Sequence, residues 1–481
     1  MLLRTSIRRW VARGSITMLA LALPAGTLAA VTAAQAAPSP AAPTVSNPYS
    51  PAYHHAYRHG VIPTIPQAAK MRSWATQHRA ALALSANDLN YGGGIDGIGV
   101  TTGQEKVYLV FYGSQWGTQG TDANGNVTLS GDPSGEAPYL QQLMKGLGTG
   151  GELWSGVMTQ YCDGVAAGAQ SCPASNTEHV AYPTGGPLAG VWVDESTASP
   201  SSATGHQLGA EAVNAAAHFG NTTAAANRDA QYVIISPTGT NPDGWLTNGF
   251  CAWHDYNGDS TLSGGPVTSP YGDIAFTNLP YITDAGASCG ANFVNSGSSG
   301  ADDGISIVEG HEYAETITDQ NPAGGWTDCS GYETGDKCAW ITPGTSGGSF
   351  DLTLPTGTFA MQTTWANDGA AGAGSCEASH AIVTNGGSGT TGNTVTVTSP
   401  GNQSTTRRTA VSLQILASDS ASGQTLSYSA AGLPSGLSIN SSTGLISGTA
   451  PSRTGTSSVT VTATDGTGAA GSASFTWTIH R

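Results

Sequence analysis

All seven cysteines of the chain, Cys162, Cys172, Cys251, Cys289, Cys329, Cys338 and Cys376, fall in its middle stretch, and no two are spaced as CxxC. That distribution reads as a disulfide-braced core formed in an oxidising compartment, ahead of a zinc cluster. Spacing leaves the connectivity open. The simplest expectation is sequential pairing, Cys162–Cys172, Cys251–Cys289 and Cys329–Cys338, with Cys376 left over. The cysteine-free ends call for separate explanations.

At the N-terminus, Arg4, Arg8, Arg9 and Arg13 precede an apolar stretch over 16–31, and Ala34-Gln35-Ala36 supplies the small residues that a signal peptidase reads. The stretch is short for a membrane span, so residues 1–36 are expected to be a signal peptide. The Arg8-Arg9 pair permits twin-arginine export, but its surroundings fit that motif poorly, and ordinary secretion is the expectation. No later segment is apolar enough to cross a bilayer, so the expected product is extracellular, released and without membrane insertion. The formal charge is −16, and loss of the four N-terminal arginines brings the mature chain to about −20. Such a balance disfavours nucleic acid and anionic lipid as partners. An extracellular protein or cell-wall substrate is the expected partner, and the chain is expected to act as a monomer.

Residues 37–94 form an N-terminal extension. Pro66 opens a helical pattern to 84, with Met71, Trp74, His78 and Leu82 on one face. Arg58, Lys70, Arg72 and Arg79 stand there against the single acid Asp88. A basic arm ahead of an acidic domain reads either as a docking pro-segment or as a solvated extension. The core is expected over 95–384: strands at 107–112, 190–193, 232–235 and 274–279, and helices over 135–147, 207–229 and 302–318. That order implies an α/β or α+β core with one central sheet. Residues 385–393 are a Gly/Ser/Thr linker. Beyond them, 394–481 alternates in short β-type runs such as Ser458-Val459-Thr460-Val461-Thr462, the pattern of an all-β sandwich. Its segments 432–439 and 443–449 resemble the Ig-like modules appended to many bacterial secreted proteins.

One segment carries chemistry: Val308-Glu309-Gly310-His311-Glu312-Tyr313-Ala314-Glu315. On a helix, His311 and Glu315 stand one turn apart on the same face, the spacing by which a zinc-peptidase helix presents two ligands. Glu312 stands where a general base would activate water. The second imidazole of His-Glu-x-x-His is replaced by a carboxylate, which zinc also accepts. Ile307, Gly310, Ala314 and Ile317 form the stripe expected to face the sheet. The competing reading is a surface helix whose Glu309, Glu312, Glu315 and Asp319 are merely solvated. A third ligand is expected from Glu333 or Asp336, in a loop between cysteines, with Glu333 favoured. His254, in a second cysteine-pinned loop, is kept as a ligand or a donor to the transition state. Asp255-Tyr256-Asn257-Gly258-Asp259-Ser260 and Asp122-Ala123-Asn124-Gly125-Asn126 alternate oxygen donors as calcium loops do, but ordinary turn chemistry accounts for them better. No Gly-x-Ser-x-Gly elbow stands in a strand–turn–helix context, which disfavours a serine hydrolase.

Together, Phe250-Cys251-Ala252-Trp253-His254, Asn278-Leu279-Pro280-Tyr281, Cys289-Gly290, His311-Glu312-x-x-Glu315 with Thr318-Asp319, and Glu333-x-Gly335-Asp336-x-Cys338 resemble the exordium, or phosphate-induced, family. The resemblance covers roughly 100–384. It implies an extracellular protein of the kind known from plant cell walls, linked to growth and cell-wall responses, with a shared core; it assigns no reaction. The expectation is therefore a secreted metal-dependent hydrolase, a zinc endopeptidase with a zincin-like helix. His311, Glu315 and Glu333 or Asp336 would be its ligands, Glu312 its base and His254 an oxyanion donor. Calcium is the less favoured ion. The alternatives are a non-enzymatic cell-wall or glycan-binding protein of the exordium type, and a zincin fold that has lost its metal.

Overall fold

The computed structural model describes residues 47–78, 88–173, 178–384, 395–419, 425–464 and 470–481. The expected signal peptide, residues 79–87 of the extension and the 385–393 linker lie outside these.

The apolar run Lys106–Tyr112 (β2 of the core) is buried almost throughout, as a central parallel strand must be. Around it the chain builds a six-stranded mixed sheet. Its strands are β1 (His59–Pro63), β2, β3 (Leu188–Asp194), β4 (Ala230–Ile235), β5 (Phe250–Tyr256) and β6 (Ala275–Leu279). The spatial order is β1-β5-β6-β4-β2-β3. The block β6-β4-β2-β3 is parallel, while β5 runs antiparallel to both its neighbours.

Helices α1 (Ile65–Gln77), α2 (Glu136–Gly146), α3 (Gly205–His218) and α4 (Asp303–Thr318) accompany the sheet. Side-chain alternation along the strands separates its two faces. On one, Tyr108 stacks on Tyr232 at 5.1 Å and meets Phe219, which caps α3, in a tilted contact at 4.4 Å. On the other, Gln231 donates to Thr277 at 2.7 Å and to Thr316 of α4 at 2.9 Å. His254 shares the face of its register partner Thr277, and so looks toward α4.

Every one of the 16 residues of α4 is buried. The expected apolar stripe was therefore too narrow: the helix lies between the sheet and a β-hairpin, β7 (Phe350–Leu354) with β8 (Gly357–Met361), so its polar residues are enclosed too. This rules out the surface-helix reading. Asp303 ties down the helix start by accepting from the Val294 and Asn295 amides at 2.8 and 2.7 Å. At the far end Asp319 leaves helical geometry and its carboxylate accepts from the Ala323 and Gly325 amides.

Three sequence expectations change. The helix expected over 207–229 stops at His218, because Gly220 takes φ +76°, and only a short turn follows at Ala224–Asn227. The segment around His254 is strand β5, not a loop. The third disulfide joins Cys338 to Cys376, beside Cys162–Cys172 and Cys251–Cys289, and leaves Cys329 free and exposed. The reason is topological. Strands β9 (Thr364–Ala366) and β10 (Ser375–Glu377) pair Trp365 with Cys376, and the Trp365 amide bonds to Thr334 O at 2.8 Å, delivering Cys376 to Cys338. Cys329 sits in a separate turn, whose Ser330 and Tyr332 amides donate to Asp328.

From Val395 onward the described residues build an all-β structure. A four-stranded sheet (Gln403–Thr406, Ala470–His480, Gly455–Thr464, Ser427–Ala431) and a three-stranded one (Ala410–Gln414, Leu445–Thr449, Leu437–Ile439) are its main parts. It has its own core, with Ile446, Val459, Val461, Phe475, Trp477 and Ile479 buried. Among the described residues no helix is long and apolar enough to cross a membrane.

Candidate metal centre

Three distant segments bring donors to one buried place. Helix α4 supplies His311, Glu312 and Glu315, one turn of helix apart at their extremes. Strand β5 supplies His254. The loop 333–336, braced by the Cys338–Cys376 bridge, supplies Glu333 and Asp336. All but Asp336, which is nearly so, are fully enclosed.

Glu315 is the hub. Its Oε1 accepts the amides of Gly335 and Asp336 at 3.0 and 2.8 Å, so the loop is strapped onto the helix by backbone. Its Oε2 lies 2.9 Å from His311 Nε2. A Cβ on Gly335 would stand 2.7 Å from His311 Nδ1 and 2.9 Å from Glu315 Oε1, which is why the loop needs glycine to come this close. Asp336 Oδ1 is 3.9 Å from His311 Nε2. His254 Nε2 is 3.1 Å from Glu333 Oε2. Two overlapping triads result, His311/Glu315/Asp336 and His254/Glu315/Glu333, each with one donor atom per residue inside 4.8 Å of the others. Of the two carboxylates considered as a third ligand, Asp336 groups with His311, while Glu333, favoured on sequence, groups with His254.

Carboxyl groups outnumber basic ones here. Lys337, the nearest base in sequence, turns to Asp328 at 3.4 Å and lies over the Trp365 ring. Burial, then the charge of neighbouring carboxylates, pushes Glu312, Glu333 and Asp336 well above the ordinary carboxylate range. Burial also holds His254 well below its usual value, helped by His59 and His311, which disfavours an ion pair in its 3.1 Å contact with Glu333. Burial acts against charge on His311 as well, but Glu315 and then Asp336 outweigh it and lift His311 to about 9. Both Glu312 oxygens and His254 Nδ1 lack a hydrogen-bond partner among the described residues, an expensive state for enclosed polar atoms.

Two participants carried no signal in the sequence. Gln362, just beyond β8, accepts from His311 Nδ1–H at 3.1 Å and donates to Gly335 O at 2.9 Å, fixing the ring with Nε2 inward. Gly60 of β1 places its carbonyl 3.1 Å from His311 Nε2. A further group, His59, Asp255 and Asp259, lies outside this cluster, with His59 Nε2 3.2 Å from Asp259. The Asp259 carboxylate also accepts from Thr261, and Asp122 accepts from the Asn124 and Asn126 amides, which is turn chemistry in both segments.

Residues 393–480 match the "Putative Ig domain" family, which agrees with the all-β end of the chain. No curated protein matches the chain. Similar solved structures include a "putative alpha-galactosidase/melibiase" of Bacteroides fragilis NCTC 9343, at 21% identity over 18% of each chain with a TM-score of 0.17. Another is mouse cadherin-23 EC22-24, at 19% identity over 26% of this chain and 34% of that one, with a TM-score of 0.16. The chain thus spans a fifth to a third of the length of these structures, and likeness at this level says nothing about the centre on α4.

Proposed function

We propose that this protein is a secreted, cation-dependent hydrolase of the zinc endopeptidase type. The observation that carries the proposal is the convergence of His254, His311, Glu315, Glu333 and Asp336 in one enclosed place, three carboxyls against two imidazoles. Imidazole and carboxylate are zinc donors, and a divalent ion would let the carboxylates ionise and would take the place of the proton on His311. His311, Glu315 and Asp336 would hold it, with the His254/Glu333 pair alongside. Gln362 supports the reading as an outer-shell partner, because a histidine ligand donates its other ring N–H.

When bound, the ion supplies polarisation of a peptide carbonyl and acidification of water. The rest falls to the chain. Glu312 takes a proton from the attacking water and returns it to the departing amine nitrogen. His254 donates a hydrogen bond to the oxygen that becomes negative as water adds. The loop and hairpin exclude bulk water and strengthen both effects.

The second reading is a non-enzymatic extracellular protein that binds cell-wall glycan, in line with the exordium resemblance; the Ig-like match over 393–480 favours it. A casein-cleavage assay separates the two. The hydrolase reading expects chelator-sensitive cleavage by the intact protein, and loss of about a thousandfold or more in Glu312→Gln. Glycan retention without any cleavage would leave only the binding reading.

A further inference from the structure

The centre is not open. Strand β1 lies across it, paired antiparallel with β5 through His59 opposite His254, Ile62 opposite Ala252 and Pro63 opposite Phe250, with an irregular register between. Gly60 is the residue at the centre. Its carbonyl faces His311 Nε2 at 3.1 Å, its φ is +49°, and a Cβ there would overlap Glu315 Oε2 and stand 2.5 Å from His254 Nε2. Only a bare backbone fits between these side chains.

The strand is held from outside the centre. Arg58 pairs with Asp243 at 2.7 Å and bonds to Pro51 O at 2.8 Å, Tyr57 donates to Asp243 at 2.8 Å, and Trp340 donates to Pro63 O at 2.6 Å. Among the described residues, β5 has, apart from β1, a partner on one side alone, β6. An edge strand beside a buried carbonyl-seeking centre is the arrangement that captures an extended peptide by strand addition.

We propose that the edge of β5 is a cleft for an extended peptide, with a glycine required at the position facing His311 and Glu315, and that His59–Pro63 fills it as a built-in competitor. This rests on the hydrolase reading for its purpose but not for its test. The Gly60 carbonyl takes the place of a substrate's reacting carbonyl, which makes the N-terminal segment a docked pro-segment and its displacement the step that opens the site.

The test uses the full chain and a fluorescent peptide with the sequence of residues 52–64. Gly60→Ala introduces the overlapping Cβ, and Arg58→Gln loosens the anchor without touching the centre. At least one of the two altered chains is expected to capture the peptide about tenfold or more tightly than the unaltered chain, since each tenfold needs only about 1.4 kcal/mol of strand destabilisation. The same peptide with alanine in place of its glycine is expected not to bind. Capture no better than that of the unaltered chain by both variants, or equal capture of the alanine peptide, would overturn the proposal and make β1 a permanent strand of the sheet. Repeating the titration in chelator separates the two readings. Peptide capture by a protein that never holds metal sinks the hydrolase and leaves the cleft, whereas metal binding without capture sinks the cleft alone.

Discussion

Glu315 illustrates how one carboxylate can do two jobs. Two backbone amides occupy Oε1, and that contact fixes the 333–336 loop, while Oε2 is left beside His311. The proposed ion would therefore find its ligands already positioned. Gln362 is the positioning residue of the set, since it orients the His311 ring from behind. Gln362→Leu should weaken zinc binding by about 10–100-fold with the fold intact, and competition against a chromophoric chelator measures it. An unchanged affinity would show that the ring is oriented by packing alone. Away from the centre, Glu136 gives a test that needs no metal. It is buried at the start of α2, accepts from the Thr283 amide and hydroxyl at 3.0 Å, and burial raises it from 4.5 to about 8. A carboxyl protonated in the fold but ionised when unfolded favours the fold fully below pH 4.5, and that contribution is lost as pH rises through about 8. Glu136→Gln should accordingly flatten the decline in urea midpoint across this window, and an unchanged slope would contradict the assignment.

At the scale of elements, the centre depends on a helix, a strand and a cross-linked loop keeping their relative places. Removing the Cys338–Cys376 bridge with Cys338→Ser and Cys376→Ser should cost roughly 2–5 kcal/mol and loosen the loop, whereas Cys329→Ser should leave stability unchanged. Thiol labelling of the folded protein should find Cys329 alone reactive, and peptide mapping should link Cys338 to Cys376. A Cys329–Cys338 link would reverse the assignment. How much of this was legible in sequence varies by element. Apolar runs such as Val107-Tyr108-Leu109-Val110-Phe111 announce central strands, and His311 and Glu315 announce themselves by helical spacing. Strand β5 does not, because His254 and Asp255 interrupt its apolar residues, and His254 is enclosed only once α4 and β1 cover its face of the sheet. Gly60, Gln362 and the partner of Cys338 are products of long-range pairing, which leaves no local mark.

Over the whole molecule, a basic N-terminal segment, an acidic core holding an enclosed donor cluster and an Ig-like end agree with the proposal of an exported hydrolase whose site is covered by β1. Export agrees with the three disulfides, which persist in oxidising surroundings. The claim on which the rest turns is that the residues from α4 and the 333–336 loop bind a cation together. The most direct measurement is metal content of the full-length protein after gel filtration, compared with His311→Ala. The account predicts about one equivalent of zinc in the former, removable by chelator together with activity, and little in the latter. Metal-free protein after zinc loading, or the same zinc content in both, would contradict it.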